Sequence, residues 1–421
     1  MTPMPTRIAT LDVIRGVAVM GILAANIAAF GFPEFAYMTP ASMGSPSTPD
    51  LIAWTATFIV IDGKMRGLFS FLFGASMLLV IDRASANGED PATIHLRRMA
   101  WLFVFGVAHL YLLWWGDILA HYALVGAIAY MFARLPVRWL IGLGLACIAV
   151  QTLELGTLTA YAFDLHAAAH KAGATARTIA NWQSLADQFG QPSPAAVARE
   201  LAIGRGTWRD LVAWRWTHAV GPITFLTVGG PETLGFMLLG MAGLRSGFLT
   251  GDWPRRRYIV VAVTGIAIGW VGYAGIVAFD IGHGFDARYV ALSWLALATP
   301  LRPLTIMGYA AAIIVLARPG GWLTTRVSAA GRMAFSNYLG TTVICTTIFY
   351  GYGLGLYGEL SRAQLYLVVV PIWLLMLAWS KPWLDRFRYG PLEWLWRSLS
   401  RFAWQPMRGS PSAASRSGCC E

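Results

Sequence analysis

Apolar residues come in runs long enough to cross a bilayer, separated by short polar segments. A membrane helix needs about 20 such residues. On that basis the chain is expected to cross ten times, at roughly 13–32, 52–81, 99–116, 118–134, 139–162, 219–244, 258–279, 289–316, 333–356 and 364–381. The pattern predicts an all-α polytopic transmembrane helical bundle with both termini on one side. Asp12 and Arg15 interrupt the start of the first run, which predicts a retained span and not a cleaved signal. The second run contains "IDGKMRGLFSFLFGAS", with Asp62, Lys64 and Arg66 inside it. It predicts a long, tilted or broken helix, because irregular backbone at that depth must be enclosed by protein or water.

Two segments outside the spans have a pattern of their own. Residues 163–218 form the one sizeable extramembrane loop, expected on the extracytoplasmic side. There the spacing predicts two short amphipathic helices split at Gln191–Pro192–Ser193–Pro194. The loop either caps an external cavity or is a passive connector. "YGPLEWLWRSLSRFAW" alternates Trp and Leu with Arg, which predicts an interfacial amphipathic helix at about 390–403 on an anionic leaflet. The membrane-embedded domain then runs over 1–403, and 404–421 is expected to be a disordered cytoplasmic tail.

Composition sharpens this picture. The chain of 421 residues is 57% hydrophobic and 13% charged, too little charge for a large soluble surface. The net charge of +11 sits in short loops and in the tail, as in Arg97 and Arg98, Arg255 to Arg257, and Arg397 and Arg401. Membrane orientation accounts for it and predicts cytoplasmic termini. No basic-aromatic face suggests a nucleic-acid partner. The partner is instead the lipid bilayer, with a small-molecule, sugar or lipid substrate. Cys147 and Cys345 read as small apolar residues within spans, and Cys419 and Cys420 as a pair on the tail. No spacing suggests a metal site or a bound cofactor.

Ionisable groups within spans cost at least about 2.5 kcal/mol each at the bilayer centre, so they raise functional hypotheses. In "LDVIRGVAVMGILAANIAAF", Asp12 and Arg15 lie three apart, and Arg15 shares a helix face with Asn26. Either they bind something within the bundle or they join neighbouring spans. Asp62 is expected to pair with Lys64 or Arg66, leaving a cation for an anionic group, unless the cluster merely marks a helix break near water. In "GVAHLYLLWWGDILAHYALVG", Trp114 and Trp115 read as an aromatic belt at an outer turn. Asp117 and His121 are four apart and expected within reach of each other. His109 lies about two turns deeper on the preceding helix. Neutral imidazole at that depth suits a general base, a proton carrier or a hydrogen-bonded core residue. Glu232, beside Gly-Pro, reads as a weaker candidate acid, and Ser336, Asn337 and Tyr338 as polar glue or cavity lining.

These segments, with "MLLGMAGLRSG", "GRMAFSNYLG" and "YGPLEWLWR", occur in an order that resembles the YeiB-like family of bacterial inner-membrane proteins (domain of unknown function 418). The resemblance covers about residues 8–403. The opening "LDxxRGxAxxGxxxxN" pattern is also similar to that of transmembrane acyltransferases, which move an acyl group from cytosolic acyl-CoA to an acceptor at the outer side. That likeness implies His109 as the acid–base residue and Asp117 or His121 as its partner. Arg15, Lys64 and Arg66 would clamp the anionic donor. The alternatives are a proton-coupled small-molecule transporter and a scaffold whose buried polar groups are structural. The functional readings share one expectation, that Arg15, Lys64, Arg66, His109 and Asp117 converge in a shared hydrated pocket.

Overall fold

The computed structural model describes residues 8–408, and every regular element among them is helical. Helix α1 (Ala9–Gly31) is followed by α2 (Thr48–Val60), α3 (Lys64–Ala86) and α4 (Pro91–Ala108). A π-helical turn over His109–Leu113 extends α4, and α5 (Leu119–Ala129) and α6 (Val137–Ala169) come next. A cap of α7 (Ala176–Phe189), α8 (Pro194–Gly204) and α9 (Trp208–His218) precedes α10 (Pro222–Arg245) and α11 (Arg255–Gly282). The chain closes with α12 (Ala287–Ala291), α13 (Arg302–Leu316), α14 (Trp322–Arg332), α15 (Ala334–Phe349), α16 (Arg362–Arg386) and α17 (Pro391–Arg401).

Eight of the expected spans are long and apolar enough to cross a membrane, with α2 and α3 together making one of them. The other two, expected at 118–134 and 333–356, are the shorter helices α5 and α15, of 11 and 16 residues. Together they form an all-α polytopic bundle. We call its two ends the terminal end, which carries residues 8 and 408, and the loop end, which carries the cap.

The second span is broken. α2 stops at Ile61, Gly63 takes φ +67, and α3 starts afresh at Lys64. Only glycine adopts that backbone at little cost. Its missing Cβ also leaves room for Arg302, whose Nε would lie 2.8 Å from one.

Short α5 has a local cause. Residues 114–118 turn back beneath the cap, and Trp114, 1% exposed, stacks on Phe30 with ring centroids 4.0 Å apart. Trp114 is therefore a core residue and not part of a lipid-facing belt. The cap holds this turn down: Trp208 Nε1 donates to the Leu112 carbonyl at 2.8 Å and Arg215 Nη1 to that of Tyr111 at 3.1 Å. The cap has three helices where two were expected. α6 runs on to Ala169, and a capping box of Thr207 and Asp210 starts α9 at a second break.

Helices approach closely where glycines remove side chains, as expected in lipid, where apolar burial gives helices little drive to associate. A Cβ on Gly74 would meet the Met237 carbonyl oxygen at 2.0 Å, and one on Gly240 would meet that of Phe71 at 1.7 Å. α3 and α10 are thus locked by reciprocal contacts. Gly240→Val is expected to separate them and cut the yield of monodisperse protein in detergent several-fold. Size-exclusion profiles of a fluorescent fusion would check this, and an unchanged profile would refute the close contact.

At the terminal end, α17 lies against α4 and α15. Trp396 Nε1 donates to the Arg98 carbonyl at 2.9 Å, and Glu393 accepts the Phe335 and Ser336 N–H groups at 2.8 and 3.1 Å. The carboxylate thereby caps the start of α15. The ordered chain also runs past 403. Residues 404–408 fold back along α17, with Trp394 Nε1 donating to the Gln405 carbonyl at 2.7 Å and the Arg388 N–H to Met407 at 2.9 Å. The rest of the expected tail, with Cys419 and Cys420, lies outside the described residues.

Candidate functional site

The residues singled out in the sequence do not gather in one pocket. They divide into a histidine–aspartate pair, an ionic group at the helix break, and an arginine-rich cavity.

His109 opens the π-helical turn, which aims its ring into the bundle. Nδ1 lies 2.8 Å from Asp117 Oδ1, and Nε2 lies 3.0 Å from Thr342 Oγ1. His109 is 1% exposed and the Asp117 side chain 2%. Asp117 Oδ2 accepts the Ala120 N–H at 2.9 Å, at the start of α5. A carboxylate with both oxygens accepting puts the imidazole proton on Nδ1 and leaves Nε2 with its lone pair toward Thr342. This hydroxyl–imidazole–carboxylate series has the order used to deprotonate a nucleophile. Asp117 and His121 do not pair, because Asp117 precedes α5 and turns back toward α4. His121 instead places Nε2 2.9 Å from Thr233 Oγ1.

The second group surrounds Glu232. α10 bends at Pro231, and Gln151 of α6 bridges the bend: its Nε2 donates to the Val228 carbonyl at 2.7 Å and its Oε1 accepts the Glu232 N–H at 3.3 Å. Glu232 is thereby held between Arg66 at 2.7 Å and Arg302 at 2.6 Å. Asp62 pairs with neither Lys64 nor Arg66; it accepts a hydrogen bond from Tyr37. Lys64, fully buried, donates to the Phe58 carbonyl and sits 3.1 Å from the centroid of the Tyr273 ring. Neither Lys64 nor Arg66 lies near Arg15, so the expected three-cation clamp does not form.

Arg15 bonds Asp12 at 3.1 Å and Ser76 at 2.6 Å, and both Arg15 and Asp12 line a cavity of about 470 Å³ that enters from the terminal end. Arg83, Arg98, Arg332, Arg388 and Arg397 line it too, with Glu393 and Trp396 of α17. Farther in, the walls are apolar: Val19, Ile22, Phe69, Met77 and Leu102. Asn26, half-buried, is not part of the lining. Tyr122 and Tyr338 form its floor and separate it from the other two groups. The Tyr338 ring lies 5.3 Å from that of His109, and the Tyr122 hydroxyl donates to the Arg66 carbonyl at 3.1 Å. Ser336 and Asn337 serve as glue, with Ser336 donating to Glu393 at 2.6 Å and Asn337 Nδ2 to the Ala330 carbonyl at 3.0 Å.

Thr342 and the mouth arginines were missed as a site in the sequence. A threonine in an apolar run carries no signal, and the arginines read there only as orientation.

At the loop end a far smaller cavity, about 20 Å³, is lined by Glu34, Trp115, Glu200 and Arg215. It has room for roughly one water. Burial and the neighbouring Glu200 carboxylate raise Glu34 from 4.5 to about 7. A raised carboxyl favours the folded cap when protonated, so this contribution is complete in acid and is lost as pH climbs through about 7. Hydrogen exchange across α8 and α9 is expected to quicken from about pH 5 to about pH 8 beyond its intrinsic base dependence. Glu34→Gln is expected to remove that excess, and an identical profile in the variant would disprove the coupling.

Comparison with known proteins identifies a family. A family model described as "Protein of unknown function (DUF418)" matches residues 244–403. The chain is 30% identical to "Uncharacterized protein YxaH" of Bacillus subtilis, over 95% of this chain and 96% of that one. It is 32% identical to "Uncharacterized protein YeiB" of Escherichia coli, over 93% and 95%. No solved structure matches it. With identity at this level along nearly the whole of both chains, this protein belongs to the YeiB-like family of bacterial membrane proteins.

Proposed function

We propose that the protein is an inner-membrane acyltransferase that takes an acyl group from a donor entering at the terminal end and passes it to an acceptor at the loop end. The observation that carries this reading is the buried His109–Asp117 pair just beyond the floor of the cavity, with Nε2 facing the Thr342 hydroxyl, whose place an acceptor hydroxyl or amine would take. The acceptor hydroxyl or amine gives its proton to Nε2 as its oxygen or nitrogen bonds the acyl carbonyl carbon. The thioester C–S bond then breaks, and the leaving thiolate takes the proton from the imidazolium. Asp117 holds the tautomer and stabilises the cation. The arginines crowding the terminal end favour a cytoplasmic position for it by the positive-inside rule, with the cap outside. The test is purified protein in liposomes with labelled acyl-CoA. Label moving to an added acceptor or to water, dependent on His109, supports the reading, and an inert donor defeats it.

A second reading, proton-coupled transport, draws on the helix break at Ile61–Gly63 beside Glu232 and its two arginines. Discontinuous helices with charge at their ends are used as binding sites in transporters. Uptake of an unmodified solute by the same liposomes, with no loss of label from the donor, would favour it.

A further inference from the structure

We infer that the terminal-end cavity binds an amphiphile whose head carries several phosphate charges and whose slender, largely apolar arm extends inward to Tyr122 and Tyr338. The inference deepens the proposed function by specifying the chemistry of what its terminal-end cavity holds, and it rests on that reading only for the fate of the bound amphiphile.

The charge at the mouth is unbalanced. Six arginines line the cavity, against the carboxylates Asp12 and Glu393. Asp12 is engaged by Arg15, and Glu393 by the Ser336 hydroxyl and the first N–H groups of α15. Among the described residues, Arg83, Arg98, Arg388 and Arg397 have no carboxylate within ion-pair distance. Two of them are held instead by aromatic rings, Arg98 over Trp396 at 4.1 Å and Arg397 over Tyr389 at 4.7 Å. Such contacts fix a guanidinium in place without neutralising it, so its N–H groups stay available to an anion.

Four uncompensated guanidiniums around one opening repel one another, and partial burial makes that costly. A single carboxylate offsets one of them. Phosphates, each with several acceptor oxygens matched to the guanidinium fork, offset more. Past Arg15 the lining turns apolar through Val19, Ile22, Phe69, Met77 and Leu102, which suits a hydrocarbon chain and no second charge. The volume of about 470 Å³ is that of a drug-sized ligand site, enough for a chain and its linker with the charged head at the rim. A ligand of this kind can come from water, as an acyl-coenzyme A, or from the membrane, as a polyprenyl diphosphate.

The test is direct binding to the full chain in nanodiscs of neutral lipid, with no acceptor present. The probes are octanoyl-coenzyme A from solution and undecaprenyl diphosphate doped into the disc. One of the two is expected to bind, weakening at least tenfold in the Arg98→Gln/Arg397→Gln double variant and as salt rises. Arg98→Lys/Arg397→Lys should retain part of the affinity, and Lys381→Gln, away from the mouth, all of it. If only undecaprenyl diphosphate behaves this way, the inference stands with the membrane as the source. If octanoate binds as tightly as octanoyl-coenzyme A, or neither phosphorylated probe binds the folded wild type, the inference is wrong. Binding as described with no transfer of label would leave this site intact and remove the proposed reaction. Transfer unaffected by the Gln double variant would do the reverse.

Discussion

Replacing His109 by Gln should cut acyl transfer by about 10²- to 10⁴-fold, the range ascribed to a positioned general base. Gln is similar in size and can still bond Asp117 and Thr342, so the helices around it should hold. What it lacks is a ring nitrogen that can take a proton from the acceptor and hand it on. Asp117→Asn should lose activity comparably, because an amide neither fixes the Nδ1 proton nor stabilises the imidazolium. His121→Gln is a contrasting case: His121 bonds Thr233, away from Asp117, and its replacement should cost far less. The assay is release of label from octanoyl-coenzyme A by purified protein of unaltered melting temperature. Turnover by His109→Gln at the wild-type rate would end the assignment.

Glu232→Gln should have the largest effect on stability. Both of its oxygens serve arginines, and the Arg302 and Glu232 side chains are 9% and 4% exposed. Taking one partner from a buried ion pair strands a charge, at a cost of about 3–5 kcal/mol. Arg66 is the less deeply enclosed of the two arginines, with 31% of its side chain exposed against 9% for Arg302. Most of the penalty therefore falls on Arg302, and the variant should melt well below wild type or fail to accumulate. Combining Arg302→Met with Glu232→Gln should recover part of the loss, since the stranded cation is gone. A Glu232→Gln protein with wild-type thermal stability would show that the pair contributes nothing.

How far the sequence foretold this site depends on the distance between partners. The spans follow from runs of apolar residues, a local property, and so does the break at Gly63, where charges interrupt such a run. His109 and Asp117 are eight residues apart across a single turn, near enough that the sequence marked both. It erred in assigning Asp117 to His121, because helical spacing was assumed to start at 117 while α5 starts at Leu119. Glu232 read only as a weaker candidate acid within a span, since Arg66 and Arg302 lie 166 and 70 positions away, beyond any periodicity. The same limit applied to the mouth arginines. Arg98 and Arg397 were read only as basic residues outside the spans, and the folding of α17 against α4 and α15 brings them to one opening.

The recessed turn at residues 114–118 bears on voltage. The cavity enters from one end, and the layer around Tyr122 and Tyr338 together with the capped turn closes the other. A membrane potential falls mainly across whatever low-dielectric material separates two conducting compartments. A charge crossing the whole potential gains about 2.3 kcal/mol per 100 mV. If water fills the cavity, that drop is concentrated over the protein between its floor and the loop end, where His109 sits, and a proton traded across this layer becomes an electrogenic step that responds to the energised state of the cell.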